Sequence, residues 1–368
     1  MRTLTQTLSL AIFSAALVAA VQPAIAQQPK VVNAQVSTVN GGNLQQAISG
    51  AVNQVWVGYT ESTLRPMHNN WDDGIQYLEG RPKQDDDDVK ENTQSNESTR
   101  MIVLLRVMGG RVTRVSIADP DRTLDVGGLP FVWVNDVSQA ASLHVLNTIA
   151  EQGIVSATPA SEGVKSANSG RSLTDSAILA MALQSAPEAT AAVRTFAADR
   201  YPAWVREKAA FWLANSRSAE GFEIVKNMVH SDKDEALRSK LVFDLTLVKG
   251  TSRQAAVDEL IALARNDASP KVRKDAQFWL AQQVSRGKTA DPRIAETLRA
   301  ATVSDPEASI RKSAVFALSR LPADQAATEL IRVASTSNDP VVRHEAVFWL
   351  GQTKDARALD YLEKLAKQ

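Results

Sequence analysis

The second half of the chain repeats one pattern of apolar and polar positions five times. In each copy an arginine is followed by alanine or leucine at the third position, phenylalanine at the fifth and leucine at the seventh. The arginines are Arg206, Arg238, Arg273, Arg311 and Arg343, and the phenylalanines are Phe211, Phe243, Phe278, Phe316 and Phe348. Because each helical residue turns by about 100°, the third and seventh positions share one apolar face. The pattern predicts five amphipathic helices.

The arginines lie 32, 35, 38 and 32 residues apart, a spacing typical of repeats built from two helices. Other segments carry apolar residues at helical spacing and supply the partner helices: 255–265, 293–301 and 325–334. Aspartate and proline stand in the turns, as in Asp305-Pro306 and Asp339-Pro340. Aspartate caps a helix and proline fits its first turn. Residues 172–368 are therefore predicted to stack as pairs of helices.

The run from Asp339 to Leu350, Asp-Pro-x-Val-Arg-x-x-Ala-x-x-x-Leu, resembles HEAT repeats, particularly the HEAT-like repeats of the phycobilisome-lyase type. The resemblance covers residues 172–368 and implies an all-α, right-handed α-solenoid. In this family the arginine of a second helix typically bonds an aspartate from the inter-helix turn, and these bonds form a ladder along the stack. The resemblance implies a structural ladder of pairs: Asp199 with Arg206, Asp232 or Asp234 with Arg238, Asp267 with Arg273, Asp305 with Arg311, and Asp339 with Arg343.

Residues 45–152 show the alternation of strands, followed by one helical stretch. The predicted strands are 53–60, 100–108, 112–118 and 131–134. The Gly109-Gly110 pair between two of these runs is a hairpin signal. With an amphipathic helix at 138–152, this part of the chain is predicted to be a small α+β domain with an antiparallel sheet.

Three polar segments flank or interrupt this domain. Residues 27–44 are predicted to be a disordered leader, and residues 153–171, with their Ser, Ala, Thr and Gly, an interdomain linker. An acidic insert at 81–99 contains four consecutive aspartates, Asp85 to Asp88. They could form a calcium loop, but the residue spacing of an EF-hand is missing. A solvated loop is therefore the favoured interpretation.

The N-terminus has the pattern of a secretory signal peptide. Arg2 is followed by an apolar run at 8–21 and by Ala24-Ile25-Ala26, an Ala-x-Ala cleavage signal. Cleavage is predicted after Ala26, which makes residues 1–26 a signal peptide and the mature protein periplasmic or secreted. An uncleaved anchor is the alternative, although the run is short for a bilayer span. No later stretch is apolar enough to cross a membrane.

Composition narrows the possible partners and chemistry. The 41 basic and 41 acidic residues balance, whereas a nucleic-acid-binding protein normally carries a basic excess. The chain has no cysteine, which excludes disulfides and thiolate metal sites. Enzymes of HEAT type that hold two irons use His-Glu pairs on several repeats, and here only His344-Glu345 forms such a pair. The sequence therefore predicts no cofactor, no metal site and no catalytic residues.

The remaining candidate surface lies on the second helices. The phenylalanines point about 140° from the arginines, toward either the neighbouring repeat or a concave groove. The tryptophans that follow three of them, at 212, 279 and 349, are predicted to be buried between the layers. The polar positions directly after each arginine vary, so the predicted binding residues are the five phenylalanines with Lys274, Lys312 and His344. The predicted function is a non-enzymatic scaffold for an unknown protein or peptide. The alternative is an enzyme or small-ligand binder with its site in the α+β domain.

Overall fold

The computed structural model describes residues 28–66, 74–80, 98–157, 164–289 and 291–367. Among these residues, eight strands are described in the first part of the chain: β1 (Val31–Val32), β2 (Val36–Val39), β3 (Val55–Ser62), β4 (Ile75–Tyr77), β5 (Arg100–Met108), β6 (Arg111–Ala118), β7 (Thr123–Asp125) and β8 (Phe131–Val134). The predicted hairpin is confirmed, since β5 and β6 pair antiparallel across two glycines with positive φ, Gly109 and Gly110. The segments 1–26 and Asp85–Asp88, to which the sequence assigns a signal peptide and an acidic run, lie outside the described residues.

The main sheet is mixed, and this corrects the prediction of an antiparallel sheet. Its strand order is β2-β8-β3-β5-β6, and only β3, β5 and β6 pair antiparallel. β8 lies between β2 and β3 and runs parallel to both. A parallel neighbour needs a crossover connection rather than a hairpin, and the chain supplies it between β6 and β8. The alternation of apolar and polar residues along a strand shows which side chains face the core, but it does not show whether the neighbouring strand runs parallel or antiparallel.

The predicted disordered leader at 27–44 contains β1 and β2 and is therefore also corrected. Several backbone bonds attach it to the domain; for example, Leu124 N–H donates to the Lys30 carbonyl at 2.8 Å and Phe131 N–H to the Gln35 carbonyl at 2.9 Å. β2 is an edge strand whose side chains are mostly exposed. Most of its side chains face water, while its main chain pairs with β8.

The domain has three layers. One face of the main sheet, with Val57, Val103 and Leu105, packs against helices in a core that continues into the helical stack. The opposite face carries Trp56 and Trp133. A second sheet, all parallel and ordered β1-β7-β4, contributes Leu124 to the core on that face.

Fourteen α-helices are described: α1 (Leu44–Ser49), α2 (Gln139–Ala157), α3 (Val164–Leu183), α4 (Glu188–Thr195), α5 (Ala203–Ser216), α6 (Ser218–Ser231), α7 (Glu235–Leu245), α8 (Arg253–Asn266), α9 (Pro270–Ser285), α10 (Pro292–Ser304), α11 (Ala308–Ser319), α12 (Ala323–Thr336), α13 (Pro340–Leu350) and α14 (Ala356–Ala366). From α4 onward they form five pairs plus α14. We call α4, α6, α8, α10, α12 and α14 first helices and α5, α7, α9, α11 and α13 second helices. Each second helix packs on the next one, so the predicted α-solenoid is present.

The predicted linker at 153–171 is replaced by the ends of two long helices, because α2 and α3 pack side by side. Gly153 and Gly170 meet at their crossing, where a Cβ on Gly153 would lie 2.6 Å from the Gly170 carbonyl oxygen. Thr174 closes the contact by donating its hydroxyl to the Ala150 carbonyl at 3.0 Å. The small residues that suggest a linker are the residues that let two helix backbones approach closely.

The pair of helices α2 and α3 joins the two predicted domains. α3 packs against α5 in the way that one second helix packs on the next, while β6 of the main sheet also contacts α3. Apolar residues of the sheet, of α2 and α3 and of the solenoid belong to one continuous core. The α+β layer and the solenoid therefore share a helix pair rather than being separated by a flexible segment. Within the described ranges, no helix is long and apolar enough to span a bilayer.

Candidate functional site

The predicted ladder of arginine and aspartate is present, but each arginine binds the aspartate of the following repeat. Arg273 donates Nε and Nη2 to the two carboxylate oxygens of Asp305, at 2.8 and 2.9 Å. Three further pairs have the same offset: Arg206 with Asp232, Arg238 with Asp267, and Arg311 with Asp339. The predicted pairs within one repeat are therefore wrong, and the ladder connects neighbouring repeats.

The geometry of the turn explains this offset. Each turn aspartate accepts backbone N–H groups of its own helix start, as Asp267 does from Ser269 N at 2.8 Å. The arginine reaches its own turn through the main chain: Arg273 Nη1 donates to the Asp267 carbonyl oxygen at 2.9 Å. The carboxylate thus faces the preceding repeat, and Arg311 holds the pKa of Asp339 below its usual value.

Both ends of the ladder differ from the prediction. Arg206 donates to the Tyr201 carbonyl at 2.6 Å as well as to Asp232, and it makes no hydrogen bond to Asp199 in the described part of the chain. Arg343 donates to the Ser337 carbonyl at 2.8 Å and, among the described residues, has no carboxylate partner. The last arginine of the array is exposed.

A second row of polar contacts crosses the second helices. The residue directly after the arginine of one repeat meets the residue two positions after the arginine of the next. Lys240 Nζ lies 2.6 Å from Glu207 and Lys312 Nζ lies 3.0 Å from Glu345, while the Ser239 hydroxyl donates to Asp275. The charge of Lys312, one of the predicted binding residues, is therefore already paired with that of Glu345.

Lys274 and His344, both exposed, are the two predicted polar binding residues that this row leaves unpaired among the described residues. Among the described residues neither has an ion-pair partner. The position facing Lys274 on the next repeat is Ser313, whose hydroxyl donates to the Ser309 carbonyl of its own helix at 2.9 Å. The charge of Lys274 is thus available to a partner.

Six of the phenylalanines and tryptophans of the second helices form what we call the aromatic band: Phe243, Phe278, Trp279, Phe316, Phe348 and Trp349. On α5, the predicted binding residue Phe211 contacts Trp212 of its own helix at 4.8 Å between ring centroids. Trp279 reaches back to Phe243 at 4.7 Å between ring centroids, and Trp349 reaches back to Phe316 at 5.1 Å. Phe278 stacks on Phe316 at 6.3 Å. The rings are half-buried, and Phe348 is 49% exposed. Phe243, Phe278 and Phe316 each contact a ring of a neighbouring repeat, as the inter-repeat interpretation of the phenylalanine row predicts, and each remains partly exposed.

The tryptophans are half-buried too, and so they are not buried between the layers as predicted. They lie on alternate second helices, where the intervening positions carry Asp244 and Ala317. Asp244 is buried, and desolvation, with a smaller contribution from Glu207, raises its pKa well above the usual value. A large side chain on one repeat thus extends over a small one on the previous repeat. The Phe-Trp dipeptides at 278–279 and 348–349 were the signal for this band.

The indole N–H groups of the three tryptophans differ in whether they have a hydrogen-bond partner. Trp212 Nε1 donates to Asp175 at 2.9 Å, and Trp349 Nε1 donates to Glu345 at 2.8 Å. Trp279 Nε1 has no hydrogen-bond partner among the described residues. Trp279 and the exposed Lys274 both belong to α9, so the middle of the band carries the free donors.

A buried polar cluster lies where the main sheet meets α2 and α3, and sequence reasoning missed it. The Tyr59 and Ser142 hydroxyls are 3.0 Å apart, and Gln184 Nε2 donates to the Ser142 hydroxyl at 2.9 Å. Glu61 is 3% exposed, and its Oε1 has no partner among the described residues. Burial raises the pKa of Glu61 to about 7, although a bond to Ser142 opposes this. The cluster is closed to solvent and belongs to the interface between the two layers.

A groove lies on the first-helix side of the solenoid, between α10 and α12. It has a volume of about 500 Å³ and is lined by charged residues that include Arg299, Glu329 and Arg357. Arg299 donates to Glu329 at 2.8 Å, and Arg357 donates to Asp355 at 2.6 Å. Its arginines are therefore engaged within the protein. In the described ranges, no cluster of three or more His, Asp and Glu side chains could hold a metal ion.

Comparison with known proteins agrees with the repeat architecture. A family model described as HEAT repeats matches residues 257–347 and 295–368. Human deoxyhypusine hydroxylase in complex with glycerol is similar at 17% identity over 61% of this chain and 78% of that chain, with a TM-score of 0.28. The complex of CpcE and CpcF of phycocyanin lyase from Nostoc sp. PCC7120 is similar at 21% identity over 44% and 97%, with a TM-score of 0.32. Cex1p is similar at 12% identity over 62% and 45%, with a TM-score of 0.38.

No curated protein sequence matches the chain. The repeat spacing, the ladder between neighbouring repeats and the family match all describe the same kind of unit. Residues 257–368 of this chain contain HEAT repeats.

Proposed function

We propose that this protein is a non-enzymatic binding protein of the cell envelope that holds a protein or peptide on its second helices. The observation that supports this most directly is the aromatic band. Half-exposed aromatic rings offer a large apolar area at little entropic cost and are enriched at binding hot spots. Neighbouring second helices pack more closely than neighbouring first helices, as on the concave side of a curved stack. The band therefore lies on the side predicted to be a groove.

α9 is the centre of the proposed site. It carries Phe278 and Trp279, between Phe243 on one side and Phe316 on the other. It also carries the ammonium of Lys274 and the indole N–H of Trp279, neither of which has a partner among the described residues. Both groups are donors, so they select a partner that offers acceptors.

The chemistry of α9 suggests the kind of segment that would bind. An apolar side chain would lie between the rings, a main-chain carbonyl would accept from Trp279, and a carboxylate would pair with Lys274. Such a combination of an apolar anchor and a few oriented polar contacts is common in peptide recognition. We propose an extended or helical segment that contains one acidic residue close to an apolar one.

A photo-cross-linker at the centre of the band is expected to capture the partner. The change is Phe278→p-benzoylphenylalanine, which keeps an aromatic ring in the band and leaves Lys274 in place. The matched control is Val303→p-benzoylphenylalanine on the first-helix side, where Val303 is 73% exposed. We expect a discrete cross-linked product at 278 after irradiation of envelope extract, because the partner covers α9. The measurement is gel mobility followed by mass spectrometry. Equal products at both positions, or none at 278, would favour the α+β domain as the binding unit.

Charge reversal provides a second check on the same site. Lys274→Glu is expected to change the free energy of unfolding by less than about 0.5 kcal/mol, since the side chain is exposed and unpaired. Lys312→Glu should cost up to about 1 kcal/mol more, because it places a carboxylate beside Glu345. Of these two variants, only Lys274→Glu should reduce capture of the partner several-fold. Lys233→Glu, in a turn, makes the same change of charge and serves as the control for charge alone.

We further propose export through the predicted signal peptide. The expected result is that protein recovered from the periplasmic or secreted fraction begins at Gln27, one residue after the Ala-x-Ala signal. N-terminal sequencing of that fraction is the measurement. Recovery of the protein only from the cytoplasm, starting at Met1, would contradict it.

A further inference from the structure

A short segment ties the α+β layer to the end of α3. We call it the strap: the last residue of β3 and the three that follow, residues 62–65. Ser185 N–H donates to the Ser62 carbonyl at 2.9 Å, and Leu64 N–H donates to the Leu183 carbonyl at 3.2 Å. The side chains of Ser62 and Leu64 are exposed. A segment with few buried contacts opens at a low cost in free energy.

Glu61, the residue before the strap, is 3% exposed and is surrounded by uncharged side chains. These are Tyr59 of its own strand, Met101 of β5, Ser142 of α2 and Gln184 just after α3. Burial raises the pKa of the Tyr59 hydroxyl above its usual value, so this group stays neutral. Of these five side chains, only that of Glu61 can change its charge near neutral pH.

The two arginines beside the strap have partners of their own. Arg65 donates to the Ser218 hydroxyl at 2.9 Å. Arg217, on the other side of the loop after α3, donates to the Gln184 carbonyl at 2.6 Å. Among the described residues, Glu61 has no ion-pair partner. An ionised Glu61 would therefore be a buried charge without a counter-charge.

The other titratable groups on the neighbouring elements are engaged or exposed. On α2, His144 is exposed and Glu151 accepts a hydrogen bond from a tyrosine hydroxyl. On α3, Arg171 is exposed and Asp175 pairs with Lys208 at 3.1 Å. On β5, the arginine opposite the start of the strap lies on the other face of the sheet.

The hydrogen bonds around Glu61 leave two buried acceptors without a donor. Gln184 Nε2 donates to the Ser142 hydroxyl at 2.9 Å, while Oε1 of Gln184 and Oε1 of Glu61 have no partner among the described residues. A protonated carboxyl has a hydrogen to donate, whereas an ionised one only accepts. A buried charge without a partner costs more than a buried neutral group, and burial raises the pKa of Glu61 to about 7. The closed arrangement therefore favours the protonated form.

We propose that Glu61 makes the strap a pH-sensitive switch: the strap stays bonded to the end of α3 while the carboxyl is protonated, and it opens more often once the carboxyl ionises. Opening lets water reach the carboxylate. The strap opens before α2 or β5 does, because apolar residues of both belong to the continuous core, whereas Ser62 and Leu64 are exposed. The switch sets how firmly the α+β layer is tied to the solenoid, and it does not depend on the proposed site on α9.

The direction and size of the effect follow from the two states of Glu61. Its pKa is about 7 when the strap is closed, and the ordinary value of 4.5 applies when water reaches it. The closed state thus binds the proton more tightly. The preference for closure is complete below about pH 4.5 and is lost as the pH rises to about 7. Between about pH 5 and 7.5 the ratio of closed to open strap should fall roughly 50-fold.

Hydrogen exchange of the full chain tests this at the amides of Leu64 and Ser185, whose N–H groups close the strap. Their protection, corrected for the intrinsic pH dependence of exchange, should fall roughly 50-fold from about pH 5 to about pH 7.5. Glu61→Gln should remove this change, because an amide does not ionise. Glu363→Gln, at an exposed carboxyl of α14, is the control and should behave like the wild type.

A second variant separates titration from simple loosening. A hydrogen bond to Ser142 lowers the pKa of Glu61, although burial outweighs it. Ser142→Ala should therefore move the midpoint of the loss of protection to higher pH. A variant that only weakened the packing would lower protection by the same factor at every pH and leave the midpoint in place.

The amide of Val103, in the buried strand β5, shows whether the opening is local. At about pH 7.5, Leu64 and Ser185 should be at least about tenfold less protected than Val103. Equal protection would overturn the proposal, because the strap would then open only when the whole chain unfolds. So would protection of Leu64 and Ser185 that does not change with pH, or the same change in Glu61→Gln as in the wild type.

Discussion

Replacing Arg273 by alanine is expected to lower the free energy of unfolding by about 3–5 kcal/mol, because it leaves a buried charge without its partner. The Arg273 and Asp305 side chains are 7% and 3% exposed. The guanidinium also donates to the Asp267 carbonyl of its own turn, so one substitution removes contacts on both sides of a repeat boundary. A shift of the urea midpoint, followed by circular dichroism, is the measurement.

The array contains its own control for this prediction. Arg343 occupies the same place in the repeat, donates to the Ser337 carbonyl in the same way and has no carboxylate partner among the described residues. Arg343→Ala should therefore cost less than about 0.5 kcal/mol. Similar losses for the two variants would mean that the carbonyl contacts, rather than the carboxylate pairs, stabilise the stack.

Replacing Glu61 by glutamine is expected to remove a pH dependence of stability between about pH 4.5 and 7. Burial raises the pKa of Glu61 from 4.5 to about 7 in the folded chain. The folded state therefore binds this proton more tightly than the unfolded state. Its contribution to stability is complete below pH 4.5, falls as the pH rises toward 7 and is absent above that.

The size of the effect follows from the difference between the two pKa values. It corresponds to about 3 kcal/mol, since one pKa unit is about 1.4 kcal/mol. Glu61→Gln should match the wild type near pH 4 and be more stable by up to this amount near pH 8. Glu363→Gln, on the exposed side of α14, is the control and should leave the profile unchanged. Parallel pH profiles for the wild type and Glu61→Gln would contradict a protonated Glu61.

The Glu61 cluster also shows why the domain interface was missed from the sequence. Tyr59 and Glu61 lie on β3, Ser142 on α2 and Gln184 just after α3. These residues are far apart in the chain, and none of them belongs to a recognisable motif. The polar residues at the end of β3 form a cluster only because neighbouring elements bury them. The sequence alone does not show which elements pack against this strand.

The band on the second helices was only partly predictable. The spacing from Arg273 to Phe278 recurs in every repeat, so the helix face could be assigned from the pattern alone. The pattern alone could not show whether Lys274 and Lys312 are unpaired, because that depends on the residue that the next repeat places opposite each of them. Lys312 meets Glu345, whereas Lys274 meets a serine that bonds to its own helix.

What the sequence determined by itself is the local unit: the second helix, its apolar face, its capping aspartate and the repeat of about 35 residues. These features depend on contacts within a few turns, which periodicity records directly. What only the tertiary structure decided is every relation between units. The ladder runs from Arg273 to the next repeat, β8 enters the sheet parallel, and Gly153 and Gly170 hold helices together where a linker was expected. Each of these depends on the direction and distance of a neighbour, and a one-dimensional pattern contains neither.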